Sequence, residues 1–163
     1  VFFLFFHSIE SMKNTISFNT KFGWISACET NNNITKVQFG RKKNSGSKSR
    51  KLRDLEEKIL LFLKGREDKL DIKIFLKGNI LQKKIWKELK KIKKGKTKTY
   101  GEIAKKMRVS PRYIGRVCGK NKHILIIPCH RVIKSDNTLG GFSAPGGLKL
   151  KRKLLEFEGA ILE

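Results

Sequence analysis

Cys129 is the residue around which chemistry can be argued. It lies in Ile124-Leu125-Ile126-Ile127-Pro128-Cys129-His130-Arg131-Val132-Ile133, where four apolar residues run into a proline, a thiol, an imidazole and a guanidinium. A thiol is a useful nucleophile only as thiolate, and a base or a nearby positive charge raises that fraction. An ordinary thiol, with a pKa near about 8.5, is only a few per cent ionised at neutral pH. His130 and Arg131 offer both kinds of help in sequence. Neighbours in an extended strand point to opposite faces, so His130 meets the sulfur only if the backbone bends after Pro128, or through a bridging water. The histidine in turn needs a carboxylate to orient it. Asp136, Glu156 and Glu158 are the nearby candidates, and the sequence does not rank them. The competing reading is a buried strand end whose cysteine merely packs. Cys28, in a strand, and Cys118, in a helix, read as packing residues, and His123 as a surface residue.

The elements that must hold this stretch are mainly helical. Asn79 is placed to cap a helix carrying Leu81, Ile85, Leu89 and Ile92 on one face and lysines on the other, ended by Gly95. Thr99 to Met107 reads as a short helix. Ser110-Pro111 is an N-cap followed by proline in the first turn, opening a helix to about Lys120. Two short helices joined by a tight turn make a helix-turn-helix candidate, with an ordinary helical hairpin as the alternative. Lys90, Lys91, Lys93, Lys94, Lys96 and Lys98, with Arg108, Arg112 and Arg116, favour a surface that faces DNA. After the thiol comes a loop rich in small residues, Asn137 to Gly147, suited to close approach of a ligand. A last helix carries Leu148, Lys151, Leu154, Leu155 and Glu158, and Gly159 stops it.

Upstream the pattern is β-like. Ile16 and Phe18 alternate with polar residues, 22–28 and 34–39 form further runs, and Asn31-Asn32-Asn33 signals a turn between them. Arg41 to Arg50 is a basic loop bearing Gly and Ser. Leu52, Leu55, Ile59, Leu60 and Leu63 then recur at helical spacing, closed by Gly65. Ile72, Ile74 and Leu76 alternate again before Lys77-Gly78-Asn79. The fold class expected is α/β of the α+β kind: a small N-terminal antiparallel sheet with a helix, then a mainly helical C-terminal part. The boundaries are 1–11 as an extension ahead of Met12, 12–78 as the N-terminal domain, and 79–163 as the C-terminal domain.

Composition narrows the partner. Among 163 residues Lys+Arg number 38 and Asp+Glu 14, a formal net charge of +24. That excess points to a polyanion, nucleic acid before an anionic membrane surface, with a merely lysine-rich solvated surface as the alternative. Three cysteines with no close pair make no disulfide framework and suit a reducing, cytoplasmic setting. No cysteine or histidine cluster has metal spacing, and no apolar run is long enough for a membrane span. The opening Val1-Phe2-Phe3-Leu4-Phe5-Phe6 is too short for a signal-peptide core. No metal, no cofactor and no membrane are expected, and the chain is expected to act as a monomer.

A nucleophile beside a basic helix-turn-helix suggests chemistry on DNA itself. A base can be reached only by leaving the stack, and Arg112 stands where a side chain could fill the gap. The residues here resemble the O6-alkylguanine-DNA alkyltransferases. Pro128-Cys129-His130-Arg131-Val132-Ile133 carries the resemblance. Supporting it are Lys98-Thr99-Tyr100-Gly101-Glu102-Ile103-Ala104, Ser110-Pro111-Arg112-Tyr113-Ile114-Gly115, Asn121, Gly140-Gly141-Phe142-Ser143 and the stretch from Lys151 to Gly159. Together they cover about residues 79–160, and the N-terminal half fits more loosely.

The resemblance implies that Cys129 takes the alkyl group from guanine O6 (O4-alkylthymine being a further candidate) irreversibly, once per molecule. His130 would act as base through a water, polarised by Glu158, and Asn121 would order the loop. Tyr100 would donate a proton toward guanine N3, Arg112 would replace the flipped nucleotide, and Ser110, Tyr113 and Arg116 would share the DNA contact. Ser143, Gly141 and the backbone around Val132 would line the guanine pocket. Double-stranded DNA bearing O6-alkylguanine would be the partner, met in the minor groove, which carries little sequence information. Two positions depart from the family's usual pattern: Asn121-Lys122 where Asn-Pro is common, and Leu81-Gln82 where Phe-Gln is common. The competing classes are a DNA-binding module without chemistry and a small thiol hydrolase.

Overall fold

The computed structural model describes residues 12–161. Three strands, β1 (Lys13–Thr20), β2 (Gly23–Thr30) and β3 (Asn33–Phe39), form an antiparallel sheet in chain order. Asn31 and Asn32 take positive φ, 49° and 62°, which gives the tight β2–β3 turn the twist a hairpin needs. Two-residue alternation sends Ile16, Phe18, Ile25, Ala27, Val37 and Phe39 to one face, where all are buried. Helix α1 (Arg50–Leu63) lies on that face through Leu52, Leu55, Ile59 and Phe62. The Ser49 hydroxyl caps it by accepting from Leu52 N.

Residues 66–79 carry no regular element, although Ile72, Ile74 and Leu76 alternate as a strand would. This segment runs beside β3, where Phe75 N donates to Ile34 O (2.8 Å). The β3 edge is otherwise taken by residues 122–124: Val37 N donates to Lys122 O (2.7 Å) and Ile124 N to Val37 O (3.0 Å).

The second half is helical. Helix α2 (Ile80–Leu89) begins with a reciprocal cap between Asn79 and Gln82, and α3 (Tyr100–Met107) with one between Thr99 and Glu102. Between them β4 (Lys98–Thr99) pairs in parallel with β5 (Val132–Ile133), so the start of α3 is tied to the residues just after the thiol. Helix α4 (Pro111–Gly119) follows α3 after a turn in which Arg108 is left-handed (φ 55°). Trp86 Nε1 donates to Val117 O (3.1 Å), and Glu88 accepts from Lys106 (2.5 Å) and Lys91 (2.8 Å); these contacts fasten α2 to α4 and to α3. Helix α5 (Gly147–Phe157) closes the chain over both halves. Leu150 and Leu154 from α5, with Ile124, Leu125 and Ile126, pack into the same core as the sheet and α1.

Candidate active site

The thiol does not sit on a strand. Leu125 has φ 65°, Pro128 has ψ 61°, and Cys129–Arg131 form one turn of 3-10 helix, with Arg131 N donating to Pro128 O (3.0 Å). Asn121 clasps this bend. Its Nδ2 donates to Ile127 O (2.9 Å) and to Cys129 Sγ (3.2 Å), and its Oδ1 accepts from His123 N (2.8 Å).

Behind the thiol lies a buried charge chain. His130 Nε2 is 2.8 Å from Glu158 Oε1. Arg131 donates through Nε to Glu158 Oε2 and through Nη2 to Oε1, both at 2.8 Å, and through Nη1 to Ile92 O at 2.6 Å. Burial alone would push the Glu158 carboxyl up, but the bonds from Arg131 and His130 hold it at about 2. Glu158 is therefore ionised at neutral pH, Nε2–H donates to it, and Nδ1 is left as the basic ring nitrogen. Burial lowers the His130 pKa, with the Glu158 bond opposing, so the imidazole rests neutral and able to take a proton. Asp136 and Glu156 are exposed, and Asp136 accepts from Thr138 instead.

Lys151 completes the set, and the sequence-based reading gave it no role in the site. Its side chain is fully buried, with Nζ donating to Val132 O (2.6 Å) and to Gly141 O (3.3 Å). The same ammonium lies 5.9 Å from the centre of the Tyr100 ring. Burial lowers its pKa from 10.5 to about 8. The Cys129 pKa is raised by burial, with the Asn121 bond and the Lys151 charge opposing the rise. Arg131, by contrast, is bound to Glu158 and Ile92, so the cation that acts on the thiol is Lys151.

A cavity of about 670 Å³ opens beside Cys129, lined among others by Tyr100, Cys118, Gly141 and Ser143, with Pro111 and Gly115 of α4 at its edge. That volume is in the range of small-molecule sites and is large enough for a nucleobase. Gly140 is required here: its φ is 70°, and a Cβ would fall 2.9 Å from the Tyr100 ring. Burial raises the Tyr100 pKa to about 12, so its hydroxyl keeps its proton.

Three expectations change and a fourth gains a detail. His123 is 3% exposed rather than on the surface, because pairing of 122–124 with β3 turns it inward, its Nε2 3.4 Å from Ile34 O. Val132 is not among the residues that line the cavity, and its carbonyl accepts from Lys151. Cys118 packs, as its helix position implies, but also faces the cavity that holds Cys129. Arg131 does not assist the thiol. Arg112 and Arg116 are exposed on α4, Arg116 stacking 5.5 Å from the Tyr113 ring centre. The Ser110 hydroxyl caps α4 by accepting from Tyr113 N (3.2 Å). The structure thus gathers Cys129, His130, Asn121, Glu158 and Tyr100 around one bend and keeps Arg112 outside it.

Residues 80–160 match the family described as 6-O-methylguanine DNA methyltransferase, DNA binding domain. A methylated-DNA--protein-cysteine methyltransferase of Metallosphaera sedula is 45% identical over 98 residues, 60% of this chain and 61% of that protein. The corresponding protein of Sulfolobus acidocaldarius is 41% identical over 110 residues, 68% of this chain and 69% of its own length. The chain belongs to the 6-O-methylguanine DNA methyltransferase family. A solved family structure, Mycobacterium tuberculosis OGT in complex with DNA, shares 26% identity with a TM-score of 0.77, covering 89% of this chain and 92% of that one. The likeness to this methyltransferase takes in the N-terminal sheet and helix as well as the helical part. Among the described residues no helix is long and apolar enough to cross a membrane, and no group of three or more metal-ligating side chains could hold an ion.

Proposed function

We propose that the protein repairs alkylated DNA by direct reversal, moving the alkyl group from guanine O6 to Cys129. The observation that carries this reading is a buried His130–Glu158–Arg131 chain set behind a thiol that faces a base-sized cavity beside α4. His130 takes the thiol proton through a water, and Glu158 stabilises the imidazolium that results. The sulfur attacks the alkyl carbon, the S–C bond forms, and the C–O6 bond breaks with its electron pair passing to the purine. Tyr100, which holds its proton at neutral pH, supplies one toward N3 of the leaving base. Asn121 keeps the bend in register, and Ser143 and Gly141 bound the base.

The base arrives by flipping. Helices α3 and α4 dock on the duplex as a helix-turn-helix, Arg112 fills the vacated stack, and Arg116, Ser110 and Tyr113 share the contact. A thioether sulfur is a poor leaving group, so each molecule, acting as a monomer in a reducing compartment and without a cofactor, reacts once. The test is incubation with an oligonucleotide containing O6-methylguanine, followed by intact and peptide mass spectra. One methyl group on Cys129 per protein is expected. Unmodified protein with the lesion still in the DNA overturns the reading.

A further inference from the structure

The outer face of the N-terminal sheet is cationic and unbalanced. The strand register puts Lys36 opposite Cys28, and Cys28 opposite Thr15, so Lys36 shares this face with Lys13 two residues along β1. A loop crosses the same face: Ser17 Oγ donates to Lys42 O (2.8 Å) and accepts from Lys42 N (2.9 Å), which lays Arg41 and Lys42 across it, both exposed. The 122–124 segment extends the sheet at β3, and because His123 turns inward, Lys122 turns out. No Asp or Glu occurs between Val37 and Arg53, which includes the whole loop. Among the described residues four lysines are ion-paired: Lys91 and Lys106 with Glu88, Lys94 with Asp68, and Lys48, at the far end of this loop, with Glu56; Lys36, Arg41 and Lys42 have no such carboxylate. Here Lys36 is depressed by burial and then by Lys42, Lys122 and Lys13, cations crowded on one another. The Arg41 guanidinium lies over Trp24, 4.5 Å from the ring centre, which fixes its charge on this face.

We propose that this face is a second docking surface for the phosphate backbone of nucleic acid, distinct from α3–α4. Each phosphate placed there relieves lysine repulsion and releases counterions. The Trp24 ring on this face is covered by Arg41, not offered to lipid, which favours nucleic acid over a membrane. The proposal rests on the reading of the protein as a DNA-binding one, and the test keeps the two apart by using undamaged duplex.

The variant K36Q/R41Q/K42Q/K43Q is compared with K64Q/R66Q/K69Q/K73Q, which removes four exposed cations from another part of the N-terminal half. Binding to a long undamaged duplex is measured over a salt series, and reaction with free O6-benzylguanine alongside. The face variant is expected to lower the slope of log affinity against log salt by about 2 to 4, at about 0.9 for each phosphate that is no longer neutralised. The second variant is expected to change it by less than about 1. Neither should alter the reaction with the free base. An equal fall in slope for both variants, or an unchanged slope for the face variant, overturns the proposal. So does a face variant that keeps duplex binding and no longer binds phosphatidylserine vesicles. Failure of alkyl transfer in the unaltered protein would overturn the repair reading and leave the salt comparison standing.

Discussion

Lys151 couples the reactivity of the thiol to the electrostatics of the fold. Its folded pKa, about 8, lies below its ordinary 10.5, so between those values the unfolded chain binds more protons. Stability should therefore rise with pH across that window, and Lys151→Met should abolish the rise, as denaturant melts at pH 7 to 11 would read. The same change removes the charge that favours the thiolate, so alkyl transfer at neutral pH should slow by about ten-fold or more. Glu158 gives a slope of the same sign at lower pH, but as a group that stabilises the fold at neutral pH. Its pKa, about 2, lies below 4.5, so its stabilisation is present above pH 4.5 and is lost as pH falls toward 2. Glu158→Gln should flatten that acid limb and cost about 3–5 kcal/mol, because Arg131 stays buried without its carboxylate. Of these residues Cys129, His130 and Glu158 were legible from type and spacing together with the family resemblance. Lys151 left a fainter signal, a lysine three before Leu154 and three after Leu148, on the apolar side of its helix. His123 left none, because its burial comes from pairing with a strand far away in sequence.

The α3–α4 pair is where local signals were strongest. Ser110-Pro111 states the start of α4, and the structure follows it; α3 begins one residue after the expected Thr99, because Thr99 and Glu102 cap its start. Ser110→Ala should cost about 1 kcal/mol by leaving the Tyr113 amide without its cap. Arg112→Ala should impair repair in duplex DNA far more than reaction with free O6-benzylguanine, since only the duplex requires flipping. Equal impairment on both substrates would remove Arg112 from that role. The 3-10 turn at Cys129 was not legible. An apolar run through a proline fits a strand equally well, and the bend depends on Leu125 in a left-handed conformation and on the Asn121 clasp. The alternation at Ile72, Ile74 and Leu76 misled for a related reason: a strand needs an open partner edge, and residues 122–124 hold that of β3.

At the scale of the whole molecule the two halves share a core. Ile124, Leu125, Ile126, Leu150 and Leu154 pack with the sheet and α1, so unfolding of the full chain should be a single transition by circular dichroism and by tryptophan fluorescence. A fragment of residues 79–163 should lose most of its cooperativity, and a fragment as stable as the full chain would contradict the shared core. The site is spread along the chain in a way that matters during synthesis. Cys129 is joined to the chain before any residue of α5, and His130 must wait 28 positions for Glu158. Until then the cysteine has neither Lys151 nor a polarised imidazole. A chain interrupted anywhere in that interval should carry an unassisted thiol, so the capacity to react waits on Glu158.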